Sequence, residues 1–261
     1  MMHSVSSAKN TLVVIPTYNE VDNLEPLVGA VLSSIHGLHV LIVDDNSPDG
    51  TGAVADRLAD ANPAISVIHR KKKEGLGSAY LVGFRHALQK HYSYIVQMDC
   101  DFSHDPKDVP RLLNELQQDG VDLVIGSRYA RGGKIVNWSL ARRILSKGGN
   151  WYARLLLGFA IKDWTAGFKV YTREVLNGIL STGHADGYAF LAEMKYRSIA
   201  TGFKVKEVPI VFTDRFSGES KMGGKIIVDA ALQVWKLARH RWLERLRVIF
   251  SRLNALATTR K

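Results

Sequence analysis

The sequence predicts an α/β fold, a parallel sheet with helices on both faces. Short apolar runs alternate with helix-like segments through the first half of the chain, the pattern of strand-helix-strand units. Polar, chemistry-bearing residues follow those runs directly, at the carboxyl ends of the strands where such sheets bind ligands. The 261 residues are 46% hydrophobic and 23% charged, enough for one large domain with a sizeable core.

Taken in order, residues 11–16 read as a strand and 21–34 as a helix. A strand at 40–43 precedes a helix at 51–61, and a strand at 65–69 precedes a helix at 77–90. A strand at 94–98 leads to a helix at 107–118, then to a strand at 123–125. Beyond Arg128 the alternation weakens. A helix is expected at 140–157, strands at 170–171 and 205–212, and a helix at 190–200 between them. These readings place a catalytic domain at 9–213. Residues 214–224 are polar and glycine-rich, hence a loop, and 225–261 carry a long basic helix.

The net charge of +10 points to an anionic partner. The surplus is concentrated: residues 221–261 hold ten Lys or Arg against only Asp229 and Glu244. In that helix Ile227, Ala231, Trp235, Ala238, Trp242, Leu246, Ile249, Leu253 and Leu256 recur at steps of three or four. A basic amphipathic helix with tryptophans suits a membrane interface, and a helix packed on the domain or on a partner is the other reading. The single cysteine, Cys100, allows no intrachain disulfide and fits a reducing compartment. No apolar run approaches the ~20 residues of a membrane span, and residues 1–10 do not read as a signal peptide. The expectation is a peripheral protein on the cytoplasmic face of a membrane.

Four strand ends carry the candidate chemistry. The first ends in Pro16-Thr17-Tyr18-Asn19-Glu20, without the GxGxxG of dinucleotide binding. Tyr18 can stack on a base and Glu20 accept from a base edge or sugar hydroxyl; an ordinary strand-to-helix turn is an equal reading. The second ends in Val43-Asp44-Asp45. Side chains alternate along a strand, so one carboxylate faces a ligand; Asp45 is assigned to base or ribose and Asp44 to the loop. Asp49-Gly50-Thr51 reads as a turn and helix cap. The run 70–73 with Gly75-Leu76-Gly77 reads as a tight turn rather than a phosphate loop.

The fourth strand ends in Asp99-Cys100-Asp101-Phe102-Ser103-His104. Two carboxylates at i and i+2 can converge on one hard cation, and Mg²⁺ or Mn²⁺ takes few carboxylates plus substrate phosphate oxygens. Such a cation neutralises a departing diphosphate. Zinc is rejected for want of N/S ligands at zinc spacing, and His104 is read as structural. After the fifth strand comes Arg128, followed by Arg142, Arg143 and Ser146 at the start of a helix; Arg142 and Ser146 share a face. Arginine forks and a hydroxyl suit a terminal phosphate monoester, whereas a solvated basic face is the bland alternative. Asp163 and Glu193 are auxiliary carboxylates or salt-bridge partners. In the 214–224 loop, Arg215 and Lys221 can close over a diphosphate.

Together these motifs resemble family 2 glycosyltransferases of the GT-A fold, and within them the dolichol- and polyprenol-phosphate mannose synthases. The carrying segments are IPTYNE (15–20), VDDNSPDGT (43–51), GLGSAY (75–80), MDCDFSH (98–104), GSRY (126–129), RRILSKGGN (142–150), DWTAGFKVY (163–171), GYAFLAEM (187–194) and DRFSGESKMGG (214–224). The resemblance implies inverting transfer of mannose from GDP-mannose to a polyprenyl or dolichyl phosphate. It implies nucleotide contacts at Pro16, Tyr18, Glu20, Val43, Asp45, Asp99, Cys100 and Asp101. A Mg²⁺ or Mn²⁺ site falls at Asp99, Asp101 and Ser103, where Ser103 stands in place of a glutamine found in some relatives. Acceptor-phosphate contacts fall at Arg128, Arg142 and Ser146, and Arg215 and Lys221 match the closing loop. A polyprenyl-phosphate glucosyltransferase using a UDP-sugar is the runner-up. A nucleotidyltransferase would instead release pyrophosphate. Nucleic-acid binding leaves the acidic pair without a role. A membrane-protein partner or a second copy of the chain is left open.

Overall fold

The structure is a computed structural model and describes residues 8, 10–118, 120–180, 189–214, 228–239 and 241–242. Its centre is a seven-stranded sheet. Strands β1 (Thr11–Thr17), β2 (Leu38–Asp44), β3 (Ile65–His69) and β4 (Tyr94–Gln97) are parallel and form one half. Strands β5 (Leu123–Ser127), β7 (Lys169–Thr172) and β8 (Val205–Pro209) form the other, in the order β3-β2-β1-β4-β7-β5-β8. A separate two-stranded ribbon pairs β6 (Lys134–Val136) with β9 (Val211–Thr213).

Every residue of β1 is buried, as expected of a strand covered on both faces. Its alternating side chains feed two cores. Leu12 and Val14 face one cluster, Val13 and Ile15 the other. The first core takes Tyr80 and Phe84 from α3 (Leu76–Gln89), Ala153 and Leu157 from α5 (Leu140–Leu157) and Phe190 from α7 (Ala189–Ala200). The second takes Leu24, Leu27 and Val28 from α1 (Val21–Ser34), Ala55 from α2 (Thr51–Ala61) and Leu112 from α4 (Val109–Leu116). A Cβ at Gly83 would lie 2.3 Å from Val14 Cγ1, so α3 approaches β1 closely only because residue 83 is glycine.

The parallel sheet expected from the alternation is corrected at one strand: β7 runs antiparallel between β4 and β5. An apolar strand reads alike in either direction, so its sense depends on the path of the 158–168 segment. The expected strand 205–212 divides at Ile210 into β8 in the main sheet and β9 in the ribbon. The helix expected at 107–118 starts as a 3₁₀ turn at Pro106–Asp108. Helix α6 (Arg173–Ile179) was not expected; it follows β7 without a break because Thr172 ends the strand and caps the helix, accepting from the Val175 amide at 3.4 Å.

At the C-terminal end, residues 228–239 and 241–242 are helical. The expected single apolar stripe is divided. Of its members Ala238 is buried against the domain, whereas Trp235 and Trp242 are exposed; outside it, Val234 and Leu237 are buried and Val228 and Leu232 are exposed. The Tyr152 hydroxyl donates to the Ala231 carbonyl at 3.2 Å, and the Arg241 guanidinium sits 4.0 Å over the Phe159 ring. The helix therefore packs on the domain with one side and leaves large apolar groups on another. Arg215, Lys221 and the distal part of the basic helix lie outside the described residues. Among the described residues, no helix is long and apolar enough to cross a membrane.

Candidate active site

The carboxyl ends of β1, β2, β4 and β5 point their loops to one edge of the sheet. At β1 and β2 the two loops are tied together. The Asp44 carboxylate accepts from Thr17 Oγ1 at 3.0 Å, the Ser47 amide at 3.1 Å and Ser47 Oγ at 2.6 Å, so it holds the loop. Asp49 accepts from the Val21 amide at 3.2 Å and from Thr51 Oγ1 at 2.6 Å; Thr51 Oγ1 accepts from the Glu20 amide at 3.0 Å. Gly50, at φ 94°, makes the turn into α2, and Thr51 lies inside the helix rather than capping it. Pro16 and Val43 pair with each other one residue before the ends of β1 and β2. Glu20 is held by Asn23 Nδ2 at 2.8 Å.

Asp45 is buried and ion-paired. Its carboxylate takes the Arg70 guanidinium and the Glu74 amide, the latter at 3.3 Å. Burial raises its pKa, and the Arg70 charge opposes that rise. Arg70 also bonds Glu74 and, at 2.7 Å, Ser78 Oγ. The basic run therefore does not act as a unit: Arg70 is a buried clamp, whereas Lys73 lies over the Tyr18 ring at 3.7 Å.

At the end of β4, Asp99 Oδ1 accepts from the Tyr80 hydroxyl at 2.6 Å. Burial pushes the Tyr80 phenol well above its ordinary range, and the Asp99 charge adds to it, so Tyr80 stays protonated and donates. Asp101 Oδ1 accepts from the Ser103 amide at 3.1 Å and from Ser103 Oγ at 2.5 Å, so the hydroxyl expected on a metal orients a carboxylate. Cys100, between them, is buried in the second core. The His104 ring stacks on Phe168 with centroids 5.1 Å apart, and its Nδ1 accepts from the Asp99 amide at 3.3 Å. Burial lowers its pKa, leaving a neutral ring that shapes the turn. A Cβ at Gly167 would lie 3.0 Å from Asp99 Oδ2, so glycine there keeps this oxygen accessible. Two oriented carboxylates with an open approach fit a small divalent cation that fills its remaining positions with phosphate and water oxygens.

Across the cavity, Arg128 is fixed by Asp163. Its amide and Nε donate to Asp163 Oδ2 at 2.9 and 2.8 Å, Nη2 donates to Oδ1 at 2.6 Å, and Thr165 Oγ1 also accepts from Nη2. Burial would raise the Asp163 pKa, but the Arg128 charge and hydrogen bonds overcome it and hold the carboxyl below its usual range. Tyr129, Trp138 and Phe212 surround the guanidinium at 5.2–5.5 Å. Arg142 lies 4.2 Å over Trp138 and donates to Asp214 at 2.7 Å. Ser146 Oγ accepts from the Tyr129 hydroxyl at 2.8 Å. Asn150 joins this helix to the opposite wall: Nδ2 donates to the Ser146 carbonyl at 2.8 Å, and Oδ1 accepts from the Trp164 amide at 2.5 Å. Glu193 pairs with Arg197 at 2.5 Å. Both auxiliary carboxylates are thus arginine partners.

Asp99, Asp101, Ser103, Arg128, Arg142 and Ser146 line one cavity of about 510 Å³. Tyr80, Trp138, Asn150, Thr165 and Phe212 shape this site without being singled out by the sequence reading. Tyr80, Asn150 and Thr165 had one signal, their places in the GLGSAY, RRILSKGGN and DWTAGFKVY segments; Trp138 and Phe212 reach the site only through long-range packing.

The Glycosyl transferase family 2 profile matches residues 12–180. The chain is 50% identical over 233 residues to the polyprenol monophosphomannose synthase of Mycolicibacterium smegmatis, covering 88% of each chain. It is 44% identical over 234 residues to the undecaprenyl-phosphate mannosyltransferase of Micrococcus luteus, covering 88% of this chain and 95% of the relative. The fold is similar to that of glucosyl-3-phosphoglycerate synthase from Mycobacterium tuberculosis, solved with Mn²⁺, UDP and phosphoglyceric acid. The TM-score is 0.65 at 20% identity, over 88% of this chain and 79% of that one. It is also similar to a Pyrobaculum calidifontis mannosyltransferase solved with GDP-Man and Mn²⁺, with a TM-score of 0.55 at 16% identity, over 97% and 81% of the two chains. With this match and this sheet, the chain belongs to the family 2 glycosyltransferases and carries their GT-A fold.

Proposed function

We propose that the protein transfers mannose from GDP-mannose to a polyprenyl phosphate, with inversion at the anomeric carbon. One observation carries this reading: two carboxylates suited to a nucleotide-sugar diphosphate share a cavity with two arginines and a serine suited to a phosphate monoester. The names of the two relatives, at 50% and 44% identity, support the sugar and the lipid class.

In this scheme Pro16, Tyr18, Glu20, Val43, Asp45 and Cys100 form the nucleotide side. Asp99 and Asp101 would hold Mg²⁺ or Mn²⁺, with Ser103 steadying Asp101; the bound cation supplies charge neutralisation to the leaving diphosphate. Arg128, Arg142 and Ser146 hold the acceptor phosphate. A phosphate monoester has its second pKa near ~6 and is largely dianionic at neutral pH, so its oxygen attacks without a strong general base. The protein's contribution is to position two anions and stabilise their charge. Arg215 and Lys221 close over the diphosphate. The exposed Trp235 and Trp242, with the basic residues beyond them, rest on an anionic membrane surface on its cytoplasmic side.

The test is incubation with labelled GDP-mannose or UDP-glucose, polyprenyl phosphate and Mg²⁺ or Mn²⁺. Label from GDP-mannose should enter the organic phase and GDP should be released. Pyrophosphate release, or transfer from UDP-glucose alone, would overturn the assignment. EDTA should abolish transfer, and Asp99→Ala and Asp101→Ala should each reduce it at least 100-fold, about 2.7 kcal/mol of transition-state stabilisation.

A further inference from the structure

Between α5 and β7 the chain passes from Gly158 to Phe168 without forming a helix or a strand. Asp163, Trp164 and Phe168 in this segment are nevertheless completely buried, and Ala166 nearly so. Buried irregular backbone has no ladder to satisfy its polar groups, so side chains must do it. Two acceptors take the amides. Glu207 of β8 accepts from the Lys162 and Asp163 amides, both at 2.9 Å, and Asn150 of α5 accepts from the Trp164 and Thr165 amides at 2.5 and 3.3 Å. One donor takes the carbonyls. Lys195 Nζ donates to Trp164 and Ala166 at 2.8 and 2.9 Å, and to the Leu191 carbonyl of its own helix at 3.1 Å.

The segment braced in this way serves both halves of the site. Asp163 and Thr165 hold the Arg128 guanidinium, and Gly167 lies against Asp99. The protonation state of Lys195 therefore matters to both. An ammonium group offers three hydrogens and no acceptor, whereas a neutral amine offers two hydrogens and a lone pair. Three carbonyls converge on Nζ, so only the ammonium form suits them all. In the neutral form one carbonyl meets the lone pair and is repelled. Burial lowers the Lys195 pKa to about 7; Asp163 and Glu207 support the charge and Arg128 opposes it. Lys169 of β7 is a second buried cationic group that feels Lys195, and on α7 itself Glu193 is paired with Arg197.

We propose that Lys195 is a positioning residue of the transfer step: as an ammonium ion it holds the 164–166 backbone so that Arg128 and Asp99 face one another across the cavity, and loss of its proton loosens that arrangement. The inference rests on the glycosyl-transfer reading above and adds a pH-sensitive support beneath the site.

The experiment measures kcat at saturating GDP-mannose, farnesyl phosphate and Mg²⁺ as a function of pH, with urea midpoints at the same pH values, for the wild type, Lys195→Met and Lys195→Arg. The pH dependence of kcat reports groups of the substrate-bound enzyme, so wild-type kcat should fall at least about tenfold between about pH 7 and about pH 9. Its urea midpoint should not fall with it, because proton loss also removes a desolvated charge from the interior. A displacement of about 1 Å in a positioned group costs about 100-fold, so Lys195→Met should have a kcat lower by that order at neutral pH and no alkaline fall. Lys195→Arg keeps its charge at every pH tested and should likewise lack the alkaline fall. A wild-type profile that stays flat to about pH 9, or a wild-type alkaline fall retained in either variant, would overturn the positioning role. The wild-type profile and Lys195→Arg decide the matter if Lys195→Met does not fold. Absence of mannosyl transfer by the wild type at every pH would instead overturn the functional reading, and this role with it.

Discussion

At the scale of single residues, the site is built from charges whose partners are already in place. Asp163 is completely buried and makes its ion pair with Arg128 in a low-dielectric setting. Removing one partner of such a pair leaves the other uncompensated, at about 3–5 kcal/mol. Asp163→Ala should therefore lower the unfolding free energy by about that much in urea titration and weaken acceptor use more than donor use. Tyr80→Phe removes one hydroxyl, the donor to Asp99. Groups that orient a ligand carboxylate contribute about 10–100-fold to metal affinity, so the Mn²⁺ concentration for half-maximal activity should rise by that order in the variant. An unchanged Mn²⁺ titration would show that Asp99 needs no such orientation. These pairings were only partly legible. Asp99 and Asp101 announce themselves by spacing after an apolar strand, but Tyr80 belongs to a helix elsewhere in the chain, and its hydroxyl meets Asp99 only once α3 packs on β1.

At the scale of elements, a buried lysine locks the wall opposite α5. Lys195 in α7 donates to the carbonyls of Trp164, Ala166 and Leu191 at 2.8, 2.9 and 3.1 Å. Burial lowers its pKa to about 7. The unfolded chain, with an ordinary lysine pKa, binds more protons than the folded one between about 7 and that range. Folding stability from this group is therefore lost as pH falls toward 7 and regained as pH rises toward the usual lysine value. Urea midpoints of the wild type should rise from pH 7 to pH 9 more steeply than those of Lys195→Met; parallel profiles would remove Lys195 from the account. Element boundaries themselves were well marked. Helices α1, α2 and α5 and strand β3 fall where the apolar periodicity put them, because each carries a face or a run that only one local structure can bury. Strand β6 was missed and β9 was read as the end of β8, because each is three residues long and gains its stability from its partner.

At the scale of the whole molecule, exposed apolar groups gather on two helices. Leu140, Ile144, Trp151 and Leu155 of α5 are each more than 60% exposed, and Leu232, Trp235 and Trp242 stand out from the C-terminal helix. A soluble domain seldom leaves a large contiguous apolar surface uncovered without a binding role. The double variant Ile144→Asp, Trp151→Asp should lose co-sedimentation with anionic liposomes while retaining its unfolding midpoint, since neither side chain belongs to the core. Retained sedimentation would assign vesicle binding to the C-terminal helix alone. The periodicity of that helix was evident in the sequence. Its division into a packed side through Val234, Leu237 and Ala238 and an exposed side through Trp235 and Trp242 was not, because hydrophobicity records that a residue avoids water and not which neighbour covers it.

By itself, the sequence determined the class of fold, the strand ends that carry the chemistry, and the acidic and basic groups found there. These follow from local rules: period, turn residues, and the charge a cation or a phosphate requires. Tertiary structure alone decided that β7 runs against its neighbours, that Arg70 clamps Asp45, that Asp163 fixes Arg128, and that Lys195 binds the carbonyls of Trp164 and Ala166. Each of these joins residues distant along the chain, and only packing of the whole domain fixes distances of that kind.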